Sequence, residues 1–158
     1  MALRQIRLSD DQILRKKSRK VEIVDDKIRQ ILKDMADTMY NSKNGAGLAA
    51  PQVGILKRLV VIDMGQGLIK LINPEIIMQE GEQEVIEGCL SIPNVVGKLN
   101  RPAKVTVQAL NENGDKIILK GTGDLAKCFC HEINHLEGIL FTDLVTEYIR
   151  WFHLYRQI

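Results

Sequence analysis

A run of five residues, His131-Glu132-Ile133-Asn134-His135, has the residue types and the spacing that metal chemistry requires. In an α-helix, residues four apart lie about 40° apart around the axis, so both imidazoles project from one face and can bind one metal ion. Glu132 lies about 100° round from His131, where its carboxylate can reach a water molecule on that ion. The pattern predicts a hydrolytic metal site of the zinc type, with Glu132 as the general base.

Two histidines at this spacing also occur by chance on surface helices that bind nothing, so the surroundings of the motif matter. An apolar stripe beside the histidines predicts that this helix packs inside the molecule; its members are Leu125, Phe129, Ile133 and Leu136. Because burial of ionisable groups costs free energy, a buried cluster of this kind indicates a function.

A catalytic site of this type needs three protein ligands and one position left for water. In metalloproteases of the HExxHxxGxxH type the third ligand follows the second histidine by six residues, and that position is Phe141. Other downstream candidates are Glu147 and His153. Upstream, Cys89 lies beside a glycine that allows close backbone approach, and a thiolate is a strong ligand for a borderline-soft ion. The motif by itself leaves these candidates open.

The elements that must position these residues begin with a helix capped by Asp25 and continuing to about Ser42. Its apolar residues recur with helical spacing at Ile28, Ile31, Leu32, Met35 and Met39. The following stretch, 44–54, contains three glycines and a proline, which predict a structured loop.

Short β-branched runs then indicate mostly antiparallel strands, with a hairpin turn at Asn113-Gly114. The runs are Leu59–Ile62, Leu68–Ile72, Val95–Val96, Val105–Val107 and Ile117–Leu119. The second helix is predicted from about Gly123 to Glu137, with Thr122 as N-cap and Gly138 left-handed just past its end. The fold class is α+β.

The 158 residues fit one domain, and a formal net charge of +2 is too small to direct the molecule onto nucleic acid or anionic lipid. The three cysteines form an odd set in a chain that needs no disulfide framework, which favours free thiols in the cytosol. The sequence shows neither a signal peptide nor an apolar membrane span. We therefore expect a cytoplasmic protein that does not bind membranes.

Three motifs in this order resemble the peptide deformylases: GAGLAAPQ at 45–52, EGCLS at 87–91 and HEINH at 131–135. The resemblance covers nearly the whole chain. It implies a single domain over residues 1–158, with mostly antiparallel sheets around a central HExxH helix and the N-terminal helix packed on the sheets. It also implies removal of the formyl group from N-formylmethionyl nascent polypeptides, with release of formate.

The resemblance implies roles for individual residues as well. Its metal ligands match Cys89, His131 and His135, its acid/base matches Glu132, and its donors to the developing oxyanion match the Gln52 side chain and the Leu90 backbone. Without the resemblance, Gln52 would be interpreted as a polar loop residue. The residues expected to bind substrate are Gly45, Ala46, Gly47, Glu87, Gly88, Lys127 and Cys128.

Lys127 stands where the family usually has an apolar residue. We expect its apolar stem to line the methionine pocket, with the amine paired to Asp124 three residues away. The alternative is that the lysine alters the pocket. Cys130 and Asn134 replace a usual glutamine and aspartate. Asn134 keeps an acceptor oxygen without charge, so a salt bridge to an arginine becomes an ordinary hydrogen bond. Cys130 is either an inert packed thiol or one prone to oxidation.

One divalent ion is expected, with Fe(II) as the native ion and Zn(II), Ni(II) or Co(II) as alternatives. The basic run at 15–20 could contact ribosomal RNA, but a solvated surface turn is favoured. The aromatic, basic stretch 148–155 is expected to pack on the body of a monomer. Two alternatives to the deformylase remain: a metalloendopeptidase, and a non-catalytic domain that binds metal and formyl-Met peptides.

Overall fold

The structure, a computed structural model, describes residues 2–149 and contains two α-helices and eight strands in that range. The helices are α1 (Asp26–Asn41) and α2 (Gly123–Leu136). The strands are β1 (Gly47–Ala49), β2 (Leu59–Ile62), β3 (Ile69–Glu80), β4 (Gln83–Cys89), β5 (Ile92–Arg101), β6 (Lys104–Leu110), β7 (Lys116–Thr122) and β8 (Glu147–Tyr148). Short 3-10 helices span Gln12–Arg15, Ala50–Val53 and Phe141–Asp143.

The strands form two sheets in which every neighbouring pair is antiparallel. A five-stranded sheet has the order β1-β2-β3-β6-β7, and a three-stranded sheet has the order β4-β5-β8. The predicted α+β class with mostly antiparallel sheets is confirmed.

The four residues of β2 show how the larger sheet is buried on both faces. Successive strand residues point to opposite faces, and all four are buried. Leu59 and Val61 pack in the cluster that contains the apolar face of α1, whereas Val60 and Ile62 pack in the cluster that contains α2. The sheet therefore lies between the two helices, and α2 is the central helix that the sequence predicts.

The first helix follows its predicted limits closely. Asp25 caps α1, and its side-chain Oδ1 accepts a hydrogen bond of 3.0 Å from the Ile28 amide. Ser42 follows the last helical residue, and its amide donates to the Met39 carbonyl.

The second helix also agrees with its prediction, except at its cap. Thr122 precedes α2 but makes no side-chain capping bond, and Gly123 begins the helix at a positive φ of 57°. Gly138 has the predicted left-handed conformation, with φ 74°. Its amide donates to the His135 carbonyl, which helps to end the helix.

Three local features differ from the sequence prediction. The glycine-rich stretch contains strand β1 and a 3-10 turn, because its buried residues join the edge of the sheet. Strand β4 was not predicted, since its β-branched residues, Val85 and Ile86, stand among glutamine, glutamates and glycine. The β6–β7 hairpin has a five-residue loop at 111–115, in which Gly114 has positive φ and Asn113 does not. The Asn111 side chain organises that loop by accepting from the amides of Asn113 and Asp115.

The basic run at 15–20 lies on the surface next to the end of α2. Arg15 donates two hydrogen bonds to Asp143, of 2.6 and 3.0 Å, while Lys16, Lys17 and Lys20 are exposed. This placement agrees with a solvated surface segment. Of the aromatic stretch 148–155, residues 150–155 lie outside the described residues.

Neither α1 nor α2 has the length and apolar character that a membrane span requires.

Gly138 provides a test of how closely the N-terminal segment packs on the end of α2. A Cβ atom at Gly138 would lie 2.5 Å from the Arg15 carbonyl oxygen, and the residue also has positive φ. We expect Gly138→Ala to lower the free energy of unfolding by about 1–2 kcal/mol from the backbone conformation and by about 1–3 kcal/mol more from the overlap. Urea unfolding measures the loss.

The matched control is Gly114→Ala. Gly114 also has positive φ, 83°, but the nearest atom to its added Cβ lies 3.8 Å away, so only the backbone cost applies. Equal losses in the two variants would contradict the close packing of Gly138 against Arg15.

Candidate metal centre

The structure brings Cys89, His131 and His135 together in the interior. Their candidate ligand atoms all lie within 4.8 Å of one another, and all three residues are buried. Both histidines come from one face of α2, and Cys89 comes from the end of β4, where an irregularity in the β4–β5 pairing follows Gly88. Cys89 Sγ lies 3.4 Å from His135 Nε2. A strand and a helix distant in sequence thus supply one cluster of a thiol and two imidazoles.

The Glu87 carboxylate fixes the orientation of the His131 ring. The distance from His131 Nδ1 to Glu87 Oε1 is 2.7 Å, so a carboxylate acceptor places the proton on Nδ1 and directs Nε2 toward the cluster. One face of the His131 ring stacks on the Phe141 ring, with 6.0 Å between the ring centroids. Phe141, which excludes the extended protease pattern, thus packs against a candidate ligand.

Glu87 is itself held by Arg101 in a buried ion pair. Arg101 Nε and Nη2 donate to the two carboxylate oxygens at 2.7 and 2.9 Å. Burial alone would raise the pKa of Glu87, but the hydrogen bonds from Arg101 and His131 outweigh it and leave the pKa at about 2. Glu87 therefore remains an anion that orients His131.

The same arginine reaches Asn134 on α2. Arg101 Nη1 donates to Asn134 Oδ1 at 2.6 Å, so an amide oxygen occupies the acceptor position that the sequence analysis expected. The bond lacks the charge of a carboxylate but still ties the end of β5 to the helix that carries both histidines.

Glu132 is a buried carboxylate with no hydrogen-bond partner among residues 2–149 for either oxygen. Burial raises its pKa to about 7, and the negative charge of Glu87 acts in the same direction. A Cβ atom added to Gly47 would lie 2.5 Å from Glu132 Oε2, so a glycine is needed for the backbone to approach this carboxylate so closely. A carboxyl group that titrates near neutrality suits a general acid/base.

Gln52 lies directly beside the cysteine of the cluster. Its Nε2 donates to Ser91 Oγ at 3.1 Å and lies 3.6 Å from Cys89 Sγ, while its Oε1 accepts from the Ala49 amide. These contacts fix the orientation of a side chain that is fully buried. Gln52 thus lies beside Cys89, as a residue that the family resemblance assigned to this centre and that would otherwise be interpreted as a polar loop residue.

The glycine-rich segment lies against the same centre through Gly47. Strand β1 pairs with β2 so that Gly47 is opposite Ile62, and the Ala46 carbonyl accepts from the Asp63 amide at 2.9 Å. A Cβ atom at Gly45 would lie 2.7 Å from the Met39 carbonyl oxygen and 3.4 Å from Leu90 Cδ1. Gly45 therefore lies between the end of α1 and the Leu90 side chain, two residues before Gly47.

The remaining predicted substrate residues have different surroundings. Glu87 is a correction: its carboxylate is buried and occupied by Arg101 and His131, so we assign it a positioning role instead of substrate contact. Gly88 is buried within the β4–β5 pairing, opposite Val96. Cys128 is fully buried near Gly47, and burial holds the pKa of its thiol well above the usual value.

Lys127 has the predicted partner and one that was not predicted. Its Nζ lies 3.7 Å from Asp124 Oδ1, and it also donates to the Ile86 carbonyl at 3.3 Å. The lysine is therefore held mainly between α2 and β4.

The other ligand candidates lie elsewhere. Glu147 is exposed in β8 and its carboxylate is 3.8 Å from Lys98 Nζ. His153 lies outside the described residues. Cys130 is buried on α2 outside the cluster, and burial raises the pKa of its thiol to about 11, which describes an inert packed residue.

The cluster fits a divalent transition-metal ion on the chemistry of its atoms. A thiolate and two neutral imidazoles suit such an ion. Burial and the charge of His131 keep the pKa of His135 well below its usual value, which favours the neutral ring. Among residues 2–149, His131 Nε2 is a buried nitrogen without a hydrogen-bond partner. Burial alone would lower the pKa of His131, but Cys89 and Glu87 raise it to about 10, so an ion bound there would replace the proton on Nε2.

Sequence reasoning missed the residues that surround the ligands. Ser91 accepts from Gln52, and Phe141 supports His131 through an apolar contact. Glu87 was assigned to substrate. Its position two residues before Cys89, on the same face of an extended strand, was the available signal for a partner of the metal ligands.

Comparison with known proteins gives a consistent result. A family model described as polypeptide deformylase matches residues 3–151. The chain is 76% identical over 150 residues to "Peptide deformylase 2" of Clostridium acetobutylicum, with 95% of this chain and all of that protein covered. It is 61% identical over 149 residues to a peptide deformylase of Acetivibrio thermocellus, covering 94% and 87% of the two chains.

Solved structures agree with these sequence relatives. The peptide deformylase of Thermotoga maritima superposes with a TM-score of 0.90 at 35% identity, covering 92% of this chain and 99% of the other. A peptide deformylase of Synechococcus elongatus in complex with actinonin superposes with a TM-score of 0.88 at 42% identity, covering 91% and 79%. On its matched family model, close relatives and fold, the chain belongs to the polypeptide deformylase family.

Proposed function

We propose that this chain, a peptide deformylase, hydrolyses the formyl amide of N-formylmethionyl nascent polypeptides at the Cys89, His131 and His135 centre and releases formate. The observation that carries the proposal is Glu132, a fully buried carboxylate without a protein partner among residues 2–149, next to three candidate metal ligands. A carboxylate in such a place is costly unless it acts on a substrate.

Cys89, His131 and His135 would hold the divalent ion. A bound ion would supply Lewis acidity at the formyl amide and would lower the pKa of water toward neutrality. The expected native ion is Fe(II), and the donor set also accepts Zn(II), Ni(II) or Co(II).

Glu132 moves the proton in the hydrolysis. Its carboxylate accepts the proton of the attacking water and then delivers it to the departing amine, so the peptide leaves with a free α-amino group. Burial suits Glu132 to both steps because it raises the pKa toward 7.

Two donors stabilise the negative charge that develops on the formyl oxygen. The side-chain amide of Gln52 donates to Ser91 Oγ and also to Cys89 Sγ, so one of its two N–H groups points toward a candidate ligand. The Leu90 backbone N–H, next to Cys89, is the second donor in this proposal. Contacts that fix Gln52 in advance spare the reaction the cost of orienting it.

The extended peptide lies along the segment 45–47, with backbone groups as partners. Gly47 allows this segment to approach Glu132 closely, because any side chain there would meet its carboxylate. The pocket for the methionine side chain lies at Lys127 and Cys128 on α2. Recognition through backbone groups limits the dependence on side chains beyond the first residue.

The cellular setting of the proposed enzyme follows from its substrate. Nascent chains place it in the cytoplasm, acting as a monomer near the ribosome, and the exposed lysines at 16, 17 and 20 are the candidate contact. Binding to a specific nucleic acid sequence or to membranes is not expected.

The two alternatives have less support. A metalloendopeptidase of the extended type would need a histidine at Phe141, whose ring instead stacks on His131. A closed structural site would need four protein ligands, and the cluster found within residues 2–149 has three. Cleavage of casein without formate release would favour the endopeptidase.

The role of Glu132 is tested by Glu132→Gln, which keeps the size of the side chain and removes its ability to accept a proton. We expect formate release from formyl-Met-Ala-Ser to fall by a factor of about 10²–10⁴, with metal content unchanged. The measurements are formate release and metal analysis after anaerobic purification. Glu84→Gln, an exposed change on β4, is the charge-matched control. Full turnover by Glu132→Gln would remove this residue from the mechanism.

The orienting role of Glu87 is tested by Glu87→Gln. Without the anion, the proton on His131 Nδ1 loses a charged acceptor, and Arg101 is left without its buried partner. We expect metal affinity to fall by about 10–100-fold, measured by competition with a chelator. The control is again Glu84→Gln. Unchanged affinity in Glu87→Gln would show that His131 needs no orienting carboxylate.

A further inference from the structure

Lys127 is a mostly buried lysine whose hydrogen-bonding capacity the fold does not fill. Its side chain is 16% exposed, and its Nζ donates to the Ile86 carbonyl at 3.3 Å. The Asp124 carboxylate, 3.7 Å away and itself 78% exposed, is beyond hydrogen-bond distance. An ammonium group has three N–H donors, so the described residues leave donors free for another acceptor.

The position of Lys127 relative to the metal centre follows from how β4 runs along α2. Three contacts occur in order: Ile86 with Lys127, Glu87 with His131, and Cys89 with His135. The strand and the helix therefore run side by side in the same direction. Lys127 lies four residues before His131, which is about 6 Å along the helix axis.

The proposed function places the first side chain of the peptide at Lys127 and Cys128. Cys128 lies close to Gly47 on β1, and Lys127 contacts β4, so α2, β1 and β4 converge at this point. A methionine side chain that extends from the ligands toward the N-terminus of α2 would meet Lys127, since about 6 Å along the helix axis separates Lys127 from His131.

We propose that Lys127 is a specificity-determining residue that makes the pocket accept a side chain ending in a hydrogen-bond acceptor, namely methionine sulfoxide in N-formylmethionine sulfoxide peptides. This proposal rests on the proposed function. The apolar stem of Lys127 contacts the methylene groups of the substrate, and the ammonium donates to the sulfoxide oxygen. In an apolar pocket that oxygen would lose its water without gaining a partner, which costs binding free energy.

The test compares kcat/KM for formate release from three peptides: formyl-Met-Ala-Ser, its sulfoxide and its norleucine analogue. For the native chain we expect the sulfoxide to react within about tenfold of the methionine peptide. In Lys127→Met we expect the ratio of sulfoxide to methionine to fall by a further factor of about 10 or more, because a hydrogen bond to a charged group is lost.

Control variants separate the lost donor from general damage to the pocket. Lys127→Arg keeps a cationic donor and should retain most of the sulfoxide ratio. The norleucine to methionine ratio should not change in Lys127→Met, because neither side chain needs a strong donor. Lys120→Met, an exposed change on β7, should leave all three rates unchanged.

An equal sulfoxide ratio in Lys127→Met and the native chain would overturn the proposal. A measurement on the native chain gives an independent answer: inhibition by the products Met-Ala-Ser and its sulfoxide. A sulfoxide product that binds more than about 100-fold more weakly than Met-Ala-Ser also overturns the proposal. Absence of turnover of formyl-Met-Ala-Ser would instead contradict the proposed function, so the two failures are distinguishable.

Discussion

The buried ion pair between Glu87 and Arg101 is the interaction on which the rest of the centre depends. It fixes a carboxylate behind His131, and that carboxylate sets which ring nitrogen faces the cluster. Removing one member of a buried pair leaves an uncompensated charge and costs about 3–5 kcal/mol. Arg101 also donates to Asn134, so the same guanidinium connects two strands of the smaller sheet to α2. One side chain thus joins the stability of the fold to the geometry of the ligands.

The two sheets contribute different residues to the surroundings of α2. The larger sheet buries the helix and supplies the glycine-rich edge, where Gly47 approaches Glu132 closely. The smaller sheet brings Cys89 to the opposite side of the helix together with its supporting residues. Because the histidines lie between these layers, their surroundings are dry and their pKa values respond strongly to a few charges. Hydrolytic chemistry gains from this arrangement, since donors and bases are oriented before the substrate arrives.

The departures of this chain from the usual family pattern have local consequences. Asn134 retains the hydrogen bond to Arg101 without the charge, and Cys130 is a buried thiol away from the cluster. Lys127 places a cationic group between α2 and β4, at the position proposed for the methionine pocket, where an apolar residue is usual. The centre itself keeps its ligands, so these changes act on the support of the ligands and on substrate choice.

The sequence by itself determined the elements whose signals are local. Helical spacing and the Asp25 cap predicted α1, the HEINH run predicted two imidazoles on one face of α2, and the short motifs identified the family. The resemblance to a family pointed to Gln52 and Cys89, but strand β4 and the positioning role of Glu87 were not predicted, because the contacts of Glu87 join residues far apart in the chain. The distances between Cys89 and the histidines were decided by tertiary structure, since only the packing of a strand against a helix fixes such separated side chains.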